Sequence, residues 1–357
     1  MVRVVIVGCG GVAMTRHIPG SIASDHIQLY GFYDVDVERA EKLSEQHSVK
    51  AYHTLEELLA DPNVDAVTVC TATKFHTDIT IKALESGKHV LCEKPMAASV
   101  EEAQRMVDAA KRTGKKLMIS HNQRLYSPHV KAKELIESGA IGKVLTFRTH
   151  LGIRGPEYSG VNRSASSWYF DKKKAGRGVV SDVGSHRIDL MRYFFGDIEK
   201  VFAYTPTLDK RYPDGRLIDL DDNAFAILQF KNGVVGQFTV SWTSYSGNDR
   251  QTQIFGTQGT LTVYGEKNDI IIETLSGETI YYDLPNSASQ DVVLVTDIDE
   301  RFAKCIENDE VPFVTAEDGL EVVKTIEAME KSNLTGTWQD RKKHTYLMRR
   351  EVSPIRH

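Results

Sequence analysis

The chain has no apolar run near the roughly 18 residues that a membrane-spanning helix needs. Nor has it a surplus of positive charge. Its 44 Lys and Arg stand against 49 Asp and Glu, a net charge of −5, which argues against a nucleic-acid partner, since phosphate backbones demand clustered cations. Cysteine is scarce: Cys9, Cys70, Cys92 and Cys305 form no CxxC pair and no Cys/His spacing of a zinc site. They read as small buried hydrophobes in a reducing compartment, and no metal is expected. There is no internal repeat and no low-complexity linker. Met1–Val7 is too short for a secretion signal and runs directly into a strand-like segment, so the expected location is cytoplasmic.

What is present is the composition of a globular protein, 41% hydrophobic and 26% charged over 357 residues, a length that predicts two domains. Residues 1–121 alternate short apolar runs (Val2–Val7, Gln28–Tyr33, Ala66–Cys70, His89–Leu91, Lys116–Ile119) with stretches of helical period. Thr54-Leu-Glu-Glu57 and Ser99-Val-Glu-Glu102 are capping boxes, and Gly87 and Gly114 stand where helices end. Strands alternating with helices imply parallel βαβ units in a doubly wound sheet. From about residue 143 the rhythm becomes strand after strand: Lys143–His150, Ala224–Phe230 and Val234–Trp242 about the turn Asn232-Gly233, then Thr260–Tyr264, Asp269–Leu275 and Thr279–Leu284. Helices are expected around Asp182–Phe195 and Ala316–Lys331, the latter packing back on the body. The fold class is therefore α/β: a parallel-sheet domain over 1–122, then an α+β domain with an open, mainly antiparallel sheet over 123–357. Such a sheet invites a second copy, a dimer or tetramer.

Four clusters carry chemistry. Gly8-Cys9-Gly10-Gly11-Val12-Ala13 follows the first strand, in the form GxGxxA. One glycine makes the turn, the next admits a pyrophosphate, and the small third position packs helix on strand. Asp34, 26 residues after Gly8, ends the second strand. A carboxylate there accepts from ribose hydroxyls and repels a 2′-phosphate, favouring NAD over NADP, while Arg39 nearby softens that preference and leaves NADP possible. Glu93-Lys94-Pro95 sets a lysine at the carboxyl end of a parallel strand, where open α/β sheets bind ligands. Asp182, His186 and Asp189 share one helical stripe, a carboxylate beside a histidine. Each has an ordinary reading when taken alone: a glycine-rich turn, a solvated lysine, a surface pair. Their order along one chain gives them meaning.

Together with Thr71-Ala-Thr-Lys-Phe-His76 and Asn122-Gln-Arg124, these strings resemble the glucose–fructose oxidoreductase/inositol dehydrogenase/rhizopine catabolism (Gfo/Idh/MocA) family over nearly the whole chain. The resemblance implies a Rossmann domain and a catalytic trio of Lys94, Asp182 and His186. It implies that Thr71, Thr73 and His76 line the nicotinamide side with Glu93 and Lys94, and that Arg124 lies near cofactor and substrate. Ala72 stands where the family has proline, which loosens a turn and removes no functional group. The expected activity is hydride transfer between a secondary hydroxyl of a cyclic polyol or sugar and NAD(P). His186 is read as the base adjusted by Asp182 and Lys94 as the donor to the reacting oxygen, with Lys94 itself an alternative base. Trp168 and His150 are further candidates for contact with the substrate. Two other readings remain: a redox-neutral, NAD-dependent glycosidase of the same fold, and a dinucleotide-binding sensor that has lost catalysis.

Overall fold

A computed structural model describes residues 1–158, 168–284 and 296–341. The first sheet has six parallel strands: β1 (Val2–Val7), β2 (Ile27–Tyr33), β3 (Lys50–Tyr52), β4 (Ala66–Val69), β5 (His89–Cys92) and β6 (Leu117–Ile119), in the order β3-β2-β1-β4-β5-β6. Strand β1 pairs with β2 on one side and β4 on the other, so the point where strand order reverses opens at the ends of β1 and β4. The central strands are apolar on both faces because helices cover both. Thr54 and Ser99 accept the Glu57 and Glu102 backbone N–H groups, as their spacing predicts, opening helices Leu55–Ala60 and Val100–Thr113. The short β3 carries too few apolar residues to be read from sequence.

The second sheet has nine strands in the order β14-β13-β12-β11-β7-β10-β9-β8-β15. They are β7 (Val144–Gly152), β8 (Ile198–Tyr204), β9 (Asn223–Phe230), β10 (Val235–Ser241), β11 (Thr252–Gly256), β12 (Gly259–Val263), β13 (Ile270–Thr274), β14 (Thr279–Tyr282) and β15 (Gln339–Asp340). Pairing is antiparallel except for β7 with β10, which run parallel. The exception has a plain cause: the chain between them holds the helix Val179–Phe195, and a parallel pair needs such a crossover. That helix and the last one, Ala316–Thr335, share a core with the inward residues of the sheet, among them Phe147, Leu228, Phe230, Phe238 and Val240. Tyr204, Phe225, Ile227 and Val235 project from the opposite face and are exposed.

The two halves do not separate at residue 122. Ile298, Phe302 and Ala303 of the helix Ile298–Glu307, with Val314, Ala316, Leu320 and Val323, lie in the core of the first sheet. Ile119 donates to the Val314 carbonyl at 3.2 Å, and Met118 bridges to Thr315, so the late segment covers the free edge of β6. The last helix and the helix before it both contribute side chains to this first core. No helix among the described residues is long and apolar enough to cross a membrane. Because Phe302 is buried in the first core, Phe302→Ala is expected to cost about 3–5 kcal/mol and to unfold the dinucleotide domain with the tail. Denaturant unfolding followed at both domains checks this.

Candidate active site

The glycine turn and the turn after β4 meet at the strand-order reversal. Gly8 has φ of +93°, and a Cβ there would lie 2.9 Å from Thr71, so only glycine lets the two turns touch. Gly10 has nothing within 4 Å of where a Cβ would stand, leaving its backbone open to a ligand. Gly11, Val12 and Ala13 lead into the turn Ala13–His17. Thr71 Oγ1 is buried with no hydrogen-bond partner among the described residues, as a group built to meet a ligand would be. An open backbone cradle beside an unsatisfied hydroxyl fits a dinucleotide.

Asp34 performs a task its spacing did not suggest. One carboxylate oxygen accepts the Cys9 N–H at 2.7 Å and the other the Asp36 N–H at 2.9 Å, clamping the glycine turn to the end of β2. Each oxygen keeps a further lone pair. Arg39 lies 3.5 Å from Asp34 and 2.8 Å from Asp36.

Lys94 leaves β5 toward the second sheet, at a cis Lys94–Pro95 bond. Its ammonium donates to Asp182 Oδ1 at 3.1 Å and to the Asp182 carbonyl at 3.2 Å. The other Asp182 oxygen accepts the Trp242 indole N–H at 3.2 Å. Trp242 is buried at the end of β10 and meets Tyr169 edge-on at 6.5 Å between ring centres. Asp221 holds the start of this helix, its carboxylate accepting the Gly178 and Val180 N–H groups at 3.1 and 2.8 Å.

One expectation is corrected here. The i, i+4 spacing suggested that Asp182 orients His186, but Asp182 is bonded to Lys94 and Trp242, and His186 makes no hydrogen bond among the described residues. A cation and an indole donor satisfy the carboxylate better than a neutral ring does. His186 Nδ1 is enclosed without a partner. Burial pushes its proton affinity well below the ordinary histidine value, and the Lys94 and Arg16 cations push the same way. The ring is therefore neutral near pH 7 and able to accept a proton.

The remaining candidates are placed as follows. His76 is buried and braces two turns, with Nε2 2.9 Å from the Thr71 carbonyl and Nδ1 3.0 Å from the Pro95 carbonyl. A neutral ring donates to one of them at a time. Thr73 is buried at the start of the short turn Thr73–Phe75. Glu93 is buried and accepts the Lys94 backbone N–H at 3.0 Å. Arg124 is committed to carboxylates: two nitrogens bond Asp189 at 2.9 and 2.6 Å and a third bonds Asp318 at 3.3 Å. It joins the helix Val179–Phe195 to the last helix, and Asp189 and Asp318 are its counter-ions. His150 is not brought to Lys94. Phe147, Thr149 and Leu151 of β7 are buried, so alternation sends His150 to the other face of the sheet. Trp168 opens the short turn Trp168–Phe170, but its side chain lies outside the described residues. Sequence reasoning missed His121, buried with both ring nitrogens unpartnered among the described residues and close enough to Lys94 to feel its charge. It missed Trp242 as a site residue too.

Comparison with known proteins bears on the family and the fold. The model of the GFO/IDH/MocA oxidoreductase family's NAD-binding Rossmann fold matches residues 2–121, and that of the family's C-terminal domain matches 129–262. A levoglucosan dehydrogenase of Pseudarthrobacter phenanthrenivorans is 33% identical over 230 residues, 59% of this chain but only 58% of that protein. A myo-inositol 2-dehydrogenase of Thermotoga maritima is 29% identical over 325 residues, covering 89% of this chain and 92% of its own. A solved levoglucosan dehydrogenase, in complex with NADH and levoglucosan, has a TM-score of 0.83 at 26% identity, covering 95% of this chain and 98% of that one.

Two outcomes follow from the geometry. If neutral His186 accepts the proton, kcat/KM for alcohol oxidation falls only as pH drops below His186's lowered value. The acid limb then lies under about pH 6.5 and disappears in His186→Asn, read from a profile between pH 4.5 and 9. Asp182→Asn leaves the Lys94 ammonium without its counter-ion and should lower kcat/KM by about 10²-fold, read in the same assay.

Proposed function

We infer the activity from one premise: the chain belongs to the Gfo/Idh/MocA oxidoreductase family. It is an oxidoreductase with an NAD-binding Rossmann domain. Beyond that, we propose that it transfers hydride between a secondary hydroxyl of a cyclic polyol or sugar and the nicotinamide. The observation that carries this reading is the ion pair of Lys94 and Asp182 set beside a neutral His186 at the carboxyl edge of the parallel sheet. Relatives named for levoglucosan and inositol support the substrate class.

The glycine turn from Gly8 to Ala13 would hold the pyrophosphate, Asp34 with Arg39 the adenosine ribose, and Thr71, Thr73, Glu93 and Lys94 the nicotinamide side. His76 keeps that side in shape from behind. When bound, the dinucleotide supplies the hydride acceptor. Lys94 donates a hydrogen bond to the substrate oxygen and stabilises the negative charge that develops as its proton leaves. Asp182, fixed at its second oxygen by Trp242, holds the ammonium at that point. His186 takes the hydroxyl proton; with its proton affinity lowered, it returns that proton readily to solvent or, in the reverse direction, to a carbonyl oxygen. Arg124 acts through Asp189, fixing the helix that carries His186.

The fixed charge of Asp34, backed by two N–H donors, argues for NAD over NADP. The apolar row of Tyr204, Phe225, Ile227 and Val235 on the outer sheet face fits a second copy of the chain. Retention of Lys94, Asp182 and His186 weighs against a sensor.

The test is formation of reduced cofactor at 340 nm with NAD or NADP and a panel of inositols, aldoses and anhydrosugars. Turnover with one group, reduced about 10²–10⁴-fold in Lys94→Ala, is the expected result. A panel without turnover while NAD stays bound through purification would favour the redox-neutral glycosidase. The ratio of kcat/KM values should favour NAD, and a ratio favouring NADP would overturn the role given to Asp34.

A further inference from the structure

His17, Glu93 and Asp299 are three ionisable side chains in contact with one another, and neither His17 nor Asp299 has a part in the chemistry above. His17 is fully buried at the end of the turn Ala13–His17. Its Nε2 lies 3.1 Å from Glu93 Oε1 and its Nδ1 2.8 Å from Asp299 Oδ1. Glu93 and Asp299 are themselves only 4% and 2% exposed. The second oxygen of Glu93 takes the Lys94 backbone N–H. The three groups thus form a line that ends on the backbone of the catalytic lysine.

Local structure is arranged for this line. The Ile18 N–H bonds the Ala13 carbonyl five residues back, a π-helical turn that sits directly after the glycine turn. Turns of this kind occur often at functional sites, where they re-aim one side chain; here His17 points inward. Gly20 clears the other end, because a Cβ there would lie 2.7 Å from Asp299 Oδ2. Burial alone would strip the proton from His17, but Asp299 holds its affinity well above the ordinary value. Burial would likewise neutralise Glu93, yet His17 keeps it far below the usual carboxylate range. A histidine cation donating at both ends is the state that satisfies both carboxylates; a neutral ring would leave one of them facing a lone pair.

We propose that His17 is a positioning residue for Lys94: bonded to Asp299 on one side and Glu93 on the other, it fixes the Glu93 carboxylate that holds the lysine backbone, and it ties that hold to the turn that receives the cofactor phosphates. The proposal rests on the dehydrogenase reading for its effect on rate, and on geometry alone for its effect on Lys94. It gives Glu93 a second task beside its place on the nicotinamide side, since each of its oxygens has a protein donor.

The decisive variants are His17→Gln, Asp299→Asn and the double variant His17→Gln/Asp299→Asn, in which Glu93 is the one ionisable group of the three that remains. Reactivity of the Lys94 amine in the cofactor-free protein is read by competitive acetic anhydride labelling across pH with mass spectrometry, Lys88 serving as the internal standard. In parallel, thermal unfolding, NADH affinity and kcat are measured. A positioning role predicts that Lys94 labelling changes against Lys88, that kcat falls about 10–100-fold, and that NADH affinity stays within about threefold. It also predicts that His17→Gln is worse than Asp299→Asn, which keeps the His17–Glu93 contact, and that the two effects do not add. A lowered melting temperature with unchanged Lys94 labelling and unchanged kcat in the double variant would overturn it and leave the line a structural strut. If the wild type turns over no sugar or polyol but Lys94 labelling still responds, the dehydrogenase reading fails and the positioning link stands.

Discussion

One ion pair holds the two halves of this molecule in register for chemistry. Lys94 closes a strand of the first sheet, Asp182 opens a helix packed on the second, and their charges meet at 3.1 Å with both side chains largely shielded from solvent. Such a pair is weak evidence for stability, because the cost of removing two charges from water nearly matches their attraction. Its value is positional. The carboxylate sits in the first turn of its helix, where the free N–H groups favour negative charge, and Trp242 fixes its other oxygen. The lysine therefore faces a carboxylate bonded at both oxygens, with His186 one turn further along the same helix.

Around that pair the structure is over-determined. Asp221 holds the start of the helix Val179–Phe195, Arg124 holds its middle through Asp189, and Arg192 near its end bonds Asp318 and Asp197. Asp318 accepts from both Arg124 and Arg192 and also closes a capping box with Thr315, so the last helix is tied to Val179–Phe195 at the point where it begins. Buried arginine with carboxylate on both sides is costly to disturb, since losing either partner strands the other. The result is a rigid frame in which small changes at the lysine are not absorbed elsewhere.

Much of this was legible in the sequence and some was not, for identifiable reasons. The strand–helix alternation, the glycine turn, Asp34, Lys94 and the Asp182–His186 helix depend on local pattern, and local pattern survives in one dimension. The choice of partner does not. Asp182 and His186 are neighbours by helical period, but the lysine that takes the carboxylate is 88 residues away. His17 stands in an undistinguished stretch, and its partner Asp299 is 282 residues distant. For His150 the signal was present and unused: Phe147 and Leu151 show which face of β7 is buried, and an even-numbered neighbour must point the other way. The parallel pairing of β7 with β10 was not read, although the helix of their crossover was, because which strands lie side by side is set by packing and not by order along the chain.

The edge strand of the first sheet has a history as well as a position. Met118 of β6 waits for Thr315 to cover it, roughly 200 residues later in the chain. At a synthesis rate of about 5–20 residues per second, that edge stays bare for about 10–40 s on a growing chain. During that interval the dinucleotide domain has five helix-flanked strands and an unguarded sixth, with the floor of its core (Phe302, Leu320, Val323) not yet made. An uncovered strand recruits whatever strand is nearby. The parallel-sheet domain is thus completed by residues made after most of the second sheet, and a chain truncated before residue 315 leaves the β6 edge bare.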